Sequence, residues 1–334
     1  MAGAVAPAVS GPLCIVLNAA SGRHDARATQ DLIQRRLDAV GRAHHLELID
    51  RQRPVAEAAQ AAVRQAQRTG GVVVAVGGDG TINAVVQATL GSGCAFGVLP
   101  QGTFNYFGRT HGIPEDAQDA LDALLAGRPE PVQVGMANER IFIVNASLGL
   151  YPQLLEDREA FKAQYGRSRL VALWSGIVTL LREHRQLQLR IAWRAEDEAL
   201  PGTARVGGEL RLRTPTLFVG NNRLQFEQVG IAEAPALDEG RLVAIALRPV
   251  GTWTMFGLML RGAFGRLGEA DQVLTLPVSS LTVRPSARIG RARLKLATDG
   301  EIVWMRTPIE FRVAPQPLWL IKPPPAAADT GSSS

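Results

Sequence analysis

Cysteine, aromatic residues and long apolar runs are all scarce in this chain. Its 334 residues include only 2 cysteines, which excludes a disulfide framework. Cys14 and Cys94 each lie in an apolar, strand-like run with no partner at metal-ligand spacing. They read as reduced core thiols of a cytoplasmic protein. Aromatic residues make up 5% of the chain, so its cores must be built from Ala, Val, Leu and Ile. No stretch reaches the roughly 18 uninterrupted apolar residues of a spanning helix. Met1–Gly11 lacks a basic segment and is short for a signal peptide. These absences predict a soluble protein, at most peripheral to a membrane. The histidines form no triad or metal-ligand pattern and read as surface residues. The arginines are scattered and not interleaved with aromatics, so a nucleic-acid surface is unsupported.

What is present is a globular composition, with 46% hydrophobic and 20% charged residues. The length suits two domains. The formal net charge of +5 favours anionic partners such as phosphates or anionic lipid headgroups.

Between tails expected to be disordered (1–10 and 323–334), the first part of the chain alternates simply. Strands are expected at Leu13–Leu17, Leu46–Ile49, Gly71–Val76 and Ala95–Leu99. Helices are expected at Arg27–Val40, Val55–Gln67 and Ile82–Leu90. Such alternation implies a parallel sheet covered on both faces, with ligands bound outside the carboxyl ends of its strands. After about residue 140 short strands dominate, from Ile141–Ala146 to Glu310–Val313, with helices only at Ser168–Arg182 and Trp253–Leu267. That rhythm predicts an antiparallel β domain. The expected domains are 11–140 (α/β, nucleotide-binding) and 141–315 (β). The polar loop Ala195–Gly208 is expected to be exposed.

The strongest local feature is Gly77-Gly78-Asp79-Gly80-Thr81, between a strand and a helix. Glycines there let backbone amides approach phosphates, and the helix N-terminus adds partial positive charge. Thr81 reads as the N-cap. No Gly-Lys-Ser/Thr follows, so this is not a Walker A loop. Asp79 would be useful if it held magnesium or water against phosphate oxygens, or accepted a hydrogen bond. Two further turns follow neighbouring strands, Asn18-Ala19-Ala20-Ser21-Gly22 and Pro100-Gln101-Gly102-Thr103-Phe104-Asn105. Three polar glycine turns on one sheet edge make a nucleotide cradle. In the second domain Asp299-Gly300-Glu301 places two carboxylates close together. That suits a general base, and equally a two-residue hairpin turn.

Taken together, Asn18–Gly22, Gly77–Asn83, Pro100–Asn105, Val144–Gly149, Val219–Asn222 and Asp299–Glu301 resemble the motifs of the diacylglycerol kinase and sphingosine kinase catalytic family. The resemblance spans roughly Leu13 to Val313. It implies an ATP:lipid phosphotransferase with an NAD-kinase-like α/β domain and a C-terminal β-sandwich that helps hold the lipid. By that likeness Asn18, Ala19, Ala20, Ser21, Gly22, Gly77, Gly78, Asp79, Gly80, Thr81, Asn83, Gly102, Thr103 and Asn105 would contact ATP. Glu301, with Asp299 beside it, would deprotonate the lipid hydroxyl, and Mg2+ would accompany ATP. Bacterial members carry a structural magnesium site at a segment like Ala236–Arg241, where the ligands here would be the Ala236 and Arg241 carbonyls and the Glu239 carboxylate. The chain departs from the family's usual residues at Tyr106, where aspartate is usual, and at Ala19, where proline is usual. The expected partners are a lipid substrate and, transiently, an anionic inner-membrane surface, with a homodimer left open. The helices at 168–182 and 253–267, apolar and flanked by arginine, would either rest on such a surface or pack on the β domain. The rival readings are an NAD-kinase-like phosphotransferase for a soluble substrate and a catalytically weak lipid-binding regulator.

Overall fold

The computed structural model describes residues 5–18, 26–49, 54–150, 152, 186–195, 206–286 and 292–324. The chain divides into two compact units, 1–132 with 316–334, and 133–315.

The first unit opens with β1 (Leu13–Asn18), α1 (Ala26–Ala39), β2 (His44–Ile49), α2 (Val55–Thr69), β3 (Val72–Gly77), α3 (Asp79–Thr89) and β4 (Ala95–Pro100). Two short helices, α4 (Tyr106–Thr110) and α5 (Ala117–Ala126), then lead to β5 (Arg128–Val132). The expected parallel sheet is present, with β2, β1, β3 and β4 side by side and all parallel. Residues of β3 and β4 are buried along their whole length, as strands covered on both faces must be. The chain returns to this sheet at its end. The last strand, β18 (Leu318–Lys322), lies parallel to β4 and antiparallel to β5. Nothing in the sequence pattern gave 318–322 a strand, because its partners stand about two hundred residues away in the chain.

The second unit is a sandwich of two antiparallel sheets. Its strands are β6 (Gly135–Ala137), β7 (Arg140–Phe142), β8 (Asn145–Gly149), β9 (Leu187–Ala195), β10 (Val206–Thr214) and β11 (Thr216–Gly220). These are followed by α6 (Arg223–Gln228), β12 (Leu242–Leu247) and α7 (Thr252–Ala263). The unit closes with β13 (Val273–Val278), β14 (Ser280–Pro285), β15 (Arg293–Thr298), β16 (Glu301–Arg306) and β17 (Ile309–Val313). One sheet runs β10-β9-β14-β17-β6-β7 and the other β13-β12-β11-β8-β15-β16. Their inner faces share one core, in which Ile191, Leu281 and Phe311 of the first meet Leu148, Val219 and Leu296 of the second. Alternation then turns Phe218 and Ile245 to the outer face of the second sheet, where they pack with Phe226, Val229 and Leu237.

Three sequence expectations need correction here. The strand expected at Ile141–Ala146 is broken into β7 and β8, because the amides of 143–145 bond a side chain instead of a ladder partner. The loop expected at Ala195–Gly208 is strand from Val206 onward. His111, read as a surface residue, packs edge-on to Phe107 with centroids 4.8 Å apart, and burial pushes its imidazole down to about 3. The helix expected at 168–182 lies outside the described residues. Cys14 and Cys94 are buried thiols.

Candidate active site

Three strand ends meet at one edge of the first unit. β1, β3 and β4 are adjacent and parallel, so Asn18, Gly77 and Pro100 all stand at the carboxyl edge of the sheet. Side chains then tie the turns together. Asn18, the last residue of β1, donates from Nδ2 to Thr81 Oγ1 at 2.8 Å, joining the end of that strand to the second turn. Asp79 accepts the Tyr106 amide at 3.2 Å and the Phe107 amide at 3.1 Å, joining the second to the third. Within the third, the Gly102 amide donates to Asn105 Oδ1 at 2.7 Å, and Asn105 holds a left-handed φ of 48°. Asparagine is among the few residues with a side chain that tolerate this conformation.

The glycines fall into distinct roles. A Cβ on Gly102 would stand 2.9 Å from the Gly78 Cα, so these two backbones pack directly on each other. A Cβ on Gly77 would strike the Thr81 side chain at 2.8 Å. A Cβ on Gly80 would meet nothing within 4 Å. Gly77, Gly78 and Gly102 are thus needed by the protein's own packing. Gly80 borders open space at the start of α3, whose first amides carry partial positive charge.

Thr81, expected as the N-cap, sits inside the first turn of α3. The cap is Gly78, and no side chain bonds there. Thr81 is buried as the acceptor for Asn18. Asn83 and Asn105 are also buried, and Thr103 is exposed at the rim. Ala19, Ala20, Ser21 and Gly22 lie outside the described residues. Asp79 binds amides with both oxygens, and burial pushes its carboxyl up against the opposing pull of the Phe107 and Tyr106 amides. Its first task is therefore to staple two turns. The peptide of Tyr106 serves that staple while its ring stacks on Phe104, centroids 5.7 Å apart.

In the second unit Asp299-Gly300 is the turn of the β15–β16 hairpin, with φ of 46° and 87° and Thr298 paired to Glu301. Two successive residues at positive φ give a turn whose twist matches the strands. Asp299 has a further role. Its carboxylate accepts the amides of Ile143 at 2.7 Å, Val144 at 2.9 Å and Asn145 at 2.8 Å, satisfying donors freed by the break between β7 and β8. Asn221 braces the same corner, donating its amide N–H to Val144 O at 2.9 Å and its Nδ2 to Ile143 O at 3.3 Å. Glu301 is different. It is more than half exposed and accepts a 2.5 Å bond from Arg140 Nη2. The Arg140 Nε donates to Thr298 Oγ1 at 3.0 Å. Arg140 and Thr298 were missed in the sequence, since no local pattern links residues 161 positions apart.

The segment expected to hold a structural metal is tied up in contacts of its own. The Glu239 carboxylate is paired with the Arg241 guanidinium, and Arg223 joins Asp238 to Glu227. The Ala236 carbonyl accepts the Glu239 and Arg241 amides, and the Arg241 carbonyl accepts Gln133 Nε2 at 3.0 Å. The Ala236 carbonyl thus accepts two bonds already, and an arginine stands against the Glu239 carboxylate. Among the described residues no group of three His, Cys, Asp or Glu side chains could hold a metal.

Comparison with known proteins bears out the resemblance carried by the motifs. Residues 12–137 match the diacylglycerol kinase catalytic domain. The cradle of turns lies within this diacylglycerol kinase-like stretch. The chain is 39% identical over 98 residues to a probable lipid kinase YegS-like protein of Klebsiella pneumoniae, covering 28% of this chain and 33% of that one. It is 40% identical over 104 residues to a diacylglycerol kinase of Bacillus subtilis, covering 30% and 34%. The sequence matches thus span about a third of the relatives' length. The whole fold is similar to the crystal structure of a diacylglycerol kinase from Bacillus anthracis, with a TM-score of 0.65 at 18% identity over 94% of this chain and 97% of that one.

Proposed function

We propose that this protein is an ATP-dependent lipid kinase that transfers the γ-phosphate to a hydroxyl of a membrane lipid. The observation that carries the reading is that the end of β1 and the turns after β3 and β4 are cross-tied at one carboxyl edge of the sheet. Backbone amides of Gly77–Asn83 and Gly102–Asn105, with Asn18–Gly22, would receive the nucleotide phosphates. Phosphoryl transfer needs positioning and charge stabilisation more than covalent chemistry, and a rigid amide cradle provides both. Magnesium carried on the phosphates would neutralise charge. Asp79 is the carboxylate at the cradle that fits it, since each oxygen has given up only one acceptor site. No such role is assigned to Ala236, Glu239 or Arg241.

Glu301 is the preferred base for the lipid hydroxyl. Proton transfer requires an acceptor with an accessible lone pair. Glu301 has one, whereas three amides crowd the Asp299 carboxylate. Arg140 would orient Glu301, and Asp299 would hold the hairpin that presents it. Among the described residues no helix is long and apolar enough to cross a membrane, so the reading includes reversible docking at a cytoplasmic membrane face.

Gly80→Val tests the cradle. The added side chain meets no protein atom at its Cβ, so the fold should survive while calorimetric ATP affinity falls at least about 100-fold. Unchanged ATP affinity in the folded variant would remove the assignment. Gly78→Val is the poorer probe, because it would displace Gly102 whether or not a nucleotide binds there. Transfer of labelled phosphate from ATP to lipid extracts in vesicles, set against NAD and other soluble alcohols, separates a lipid kinase from its soluble-substrate rival.

A further inference from the structure

Arginines that look scattered along the chain are gathered by strand register on one face of the second unit. In β9, Leu189, Ile191 and Trp193 face the sandwich core, so alternation turns Arg190, Ala192 and Arg194 outward. Neighbouring strands add to the same face. Arg211 of β10 and Arg284 of β14 both stand opposite Arg190, which makes one cationic row across three strands. Further along β9, Arg194 stands opposite Ser280 of β14, and Ser280 opposite Arg312 of β17, which makes a second cationic row. Between the two rows the side chains are small, with Ala192 opposite Thr282. The ends of this middle row are acidic, Glu209 beside Ala192 and Glu310 beside Thr282.

The face is open. Arg190, Arg194, Arg211 and Arg284 are exposed and Arg312 is half-buried. Glu209 reaches back to Arg190 at 3.3 Å. Arg194, Arg211, Arg284 and Arg312 form no ion pair with a described residue. Like charges set directly opposite one another destabilise a sheet. Arginines in one register row therefore cost the sandwich stability, and an anionic partner laid against them removes that cost.

We propose that this face docks an acidic α-helix of a partner protein, seated over Ala192 and Thr282 with carboxylates on each flank meeting an arginine row. Arg190 and Arg194 lie about 13 Å apart along β9, at about 3.4 Å per residue. A helix with its side chains is about 10–12 Å across, so it fits between the rows. Guanidinium forks match carboxylates in geometry as well as charge. The acids at the ends of the middle row decide against a uniform polyanion. A bilayer surface or a nucleic-acid backbone would press phosphates on Glu310 along with the arginines, whereas a helix can set a lysine there. A second copy of this chain, meeting through the same face, would bring arginine against arginine. No group of the nucleotide cradle or of the Asp-Gly-Glu hairpin takes part, so the proposal stands apart from the function proposed above.

The test uses the full chain and a fluorescein-labelled helical peptide with glutamates on both flanks and lysine at both ends. Fluorescence anisotropy should show saturable binding that weakens with salt. Arg194→Gln together with Arg284→Gln should weaken it at least about tenfold. The melting temperature of that variant should hold or rise, because a like-charge contact is relieved. Ala192→Phe raises the floor between the rows without altering any charge, and it should weaken the peptide comparably while circular dichroism stays that of the parent. Absence of saturable binding to the parent overturns the proposal. So does full binding by a folded Ala192→Phe, since the arginines would then act as diffuse charge with no seat between them. Tighter binding of poly(U) or of phosphatidylglycerol vesicles than of the peptide, lost in the same variants, overturns the protein helix as the partner.

Discussion

Replacing Asp299 by Asn separates the two carboxylates of the Asp-Gly-Glu triplet. The side chain keeps its shape, and asparagine is comfortable at the φ of 46° found there. Backbone strain is therefore not a confounding cost. What changes is the acceptor count. Val144 and Asn145 both donate to Oδ1, and Ile143 donates to Oδ2. An amide oxygen in the Oδ1 place keeps the first two bonds without their charge assistance, a loss of about 1 kcal/mol each. The amide nitrogen then faces the Ile143 N–H, and that orphaned donor costs about 1–3 kcal/mol. The sum is about 3–5 kcal/mol, a large share of the roughly 5–15 kcal/mol that holds a domain. Scanning calorimetry should show the transition of the second unit lowered by about 10 °C, with ATP affinity at the first unit unchanged. A melting point within about 2 °C of the parent would refute the staple. If turnover also fell at least about 100-fold in that stable variant, Asp299 would be the proton acceptor and the roles argued here would be exchanged.

Glu301→Gln should do the reverse, lowering lipid phosphorylation by about 10²–10⁴-fold while the melting point barely moves, because an exposed pair such as Arg140–Glu301 is worth only about 0–1 kcal/mol; undiminished turnover would remove Glu301 from the chemistry. His111 gives a pH signature. Burial, aided by Lys322, holds its folded value near 3 against an ordinary 6.5, so the unfolded chain binds the extra proton. The stability it supports is complete above about pH 6.5 and is lost as pH falls from there towards 3. His111→Leu should flatten the decline in melting temperature across that window, and an unchanged slope would mean that carboxylates alone cause it.

The second unit shows why some of the site could not be read locally. Asp299-Gly300 announces a hairpin by residue type, and a hairpin is what forms. That its carboxylate also satisfies the amides of 143–145 depends on β15 lying beside β8, a pairing of residues some 150 positions apart. The same holds for Arg140 on Glu301 and for the exposed outer stripe of α7. Each depends on which face of an element its neighbours leave open.

The first unit is where local signals sufficed. Alternating strands and helices dictate a parallel sheet, because strands buried on both faces need apolar runs and crossover helices. The end of β1 and the glycine turns after β3 and β4 then fall on one edge whatever the packing detail. Sequence alone therefore determined the sheet, the placing of the turns after β3 and β4 on its carboxyl edge, and the family resemblance. Only the tertiary structure decided that Asp79 is tied to the amides of Tyr106 and Phe107, that Gly80 faces open space while Gly78 faces Gly102, and that β18 completes the sheet. Those outcomes rest on contacts between distant segments, and periodicity and turn chemistry act only over a few residues.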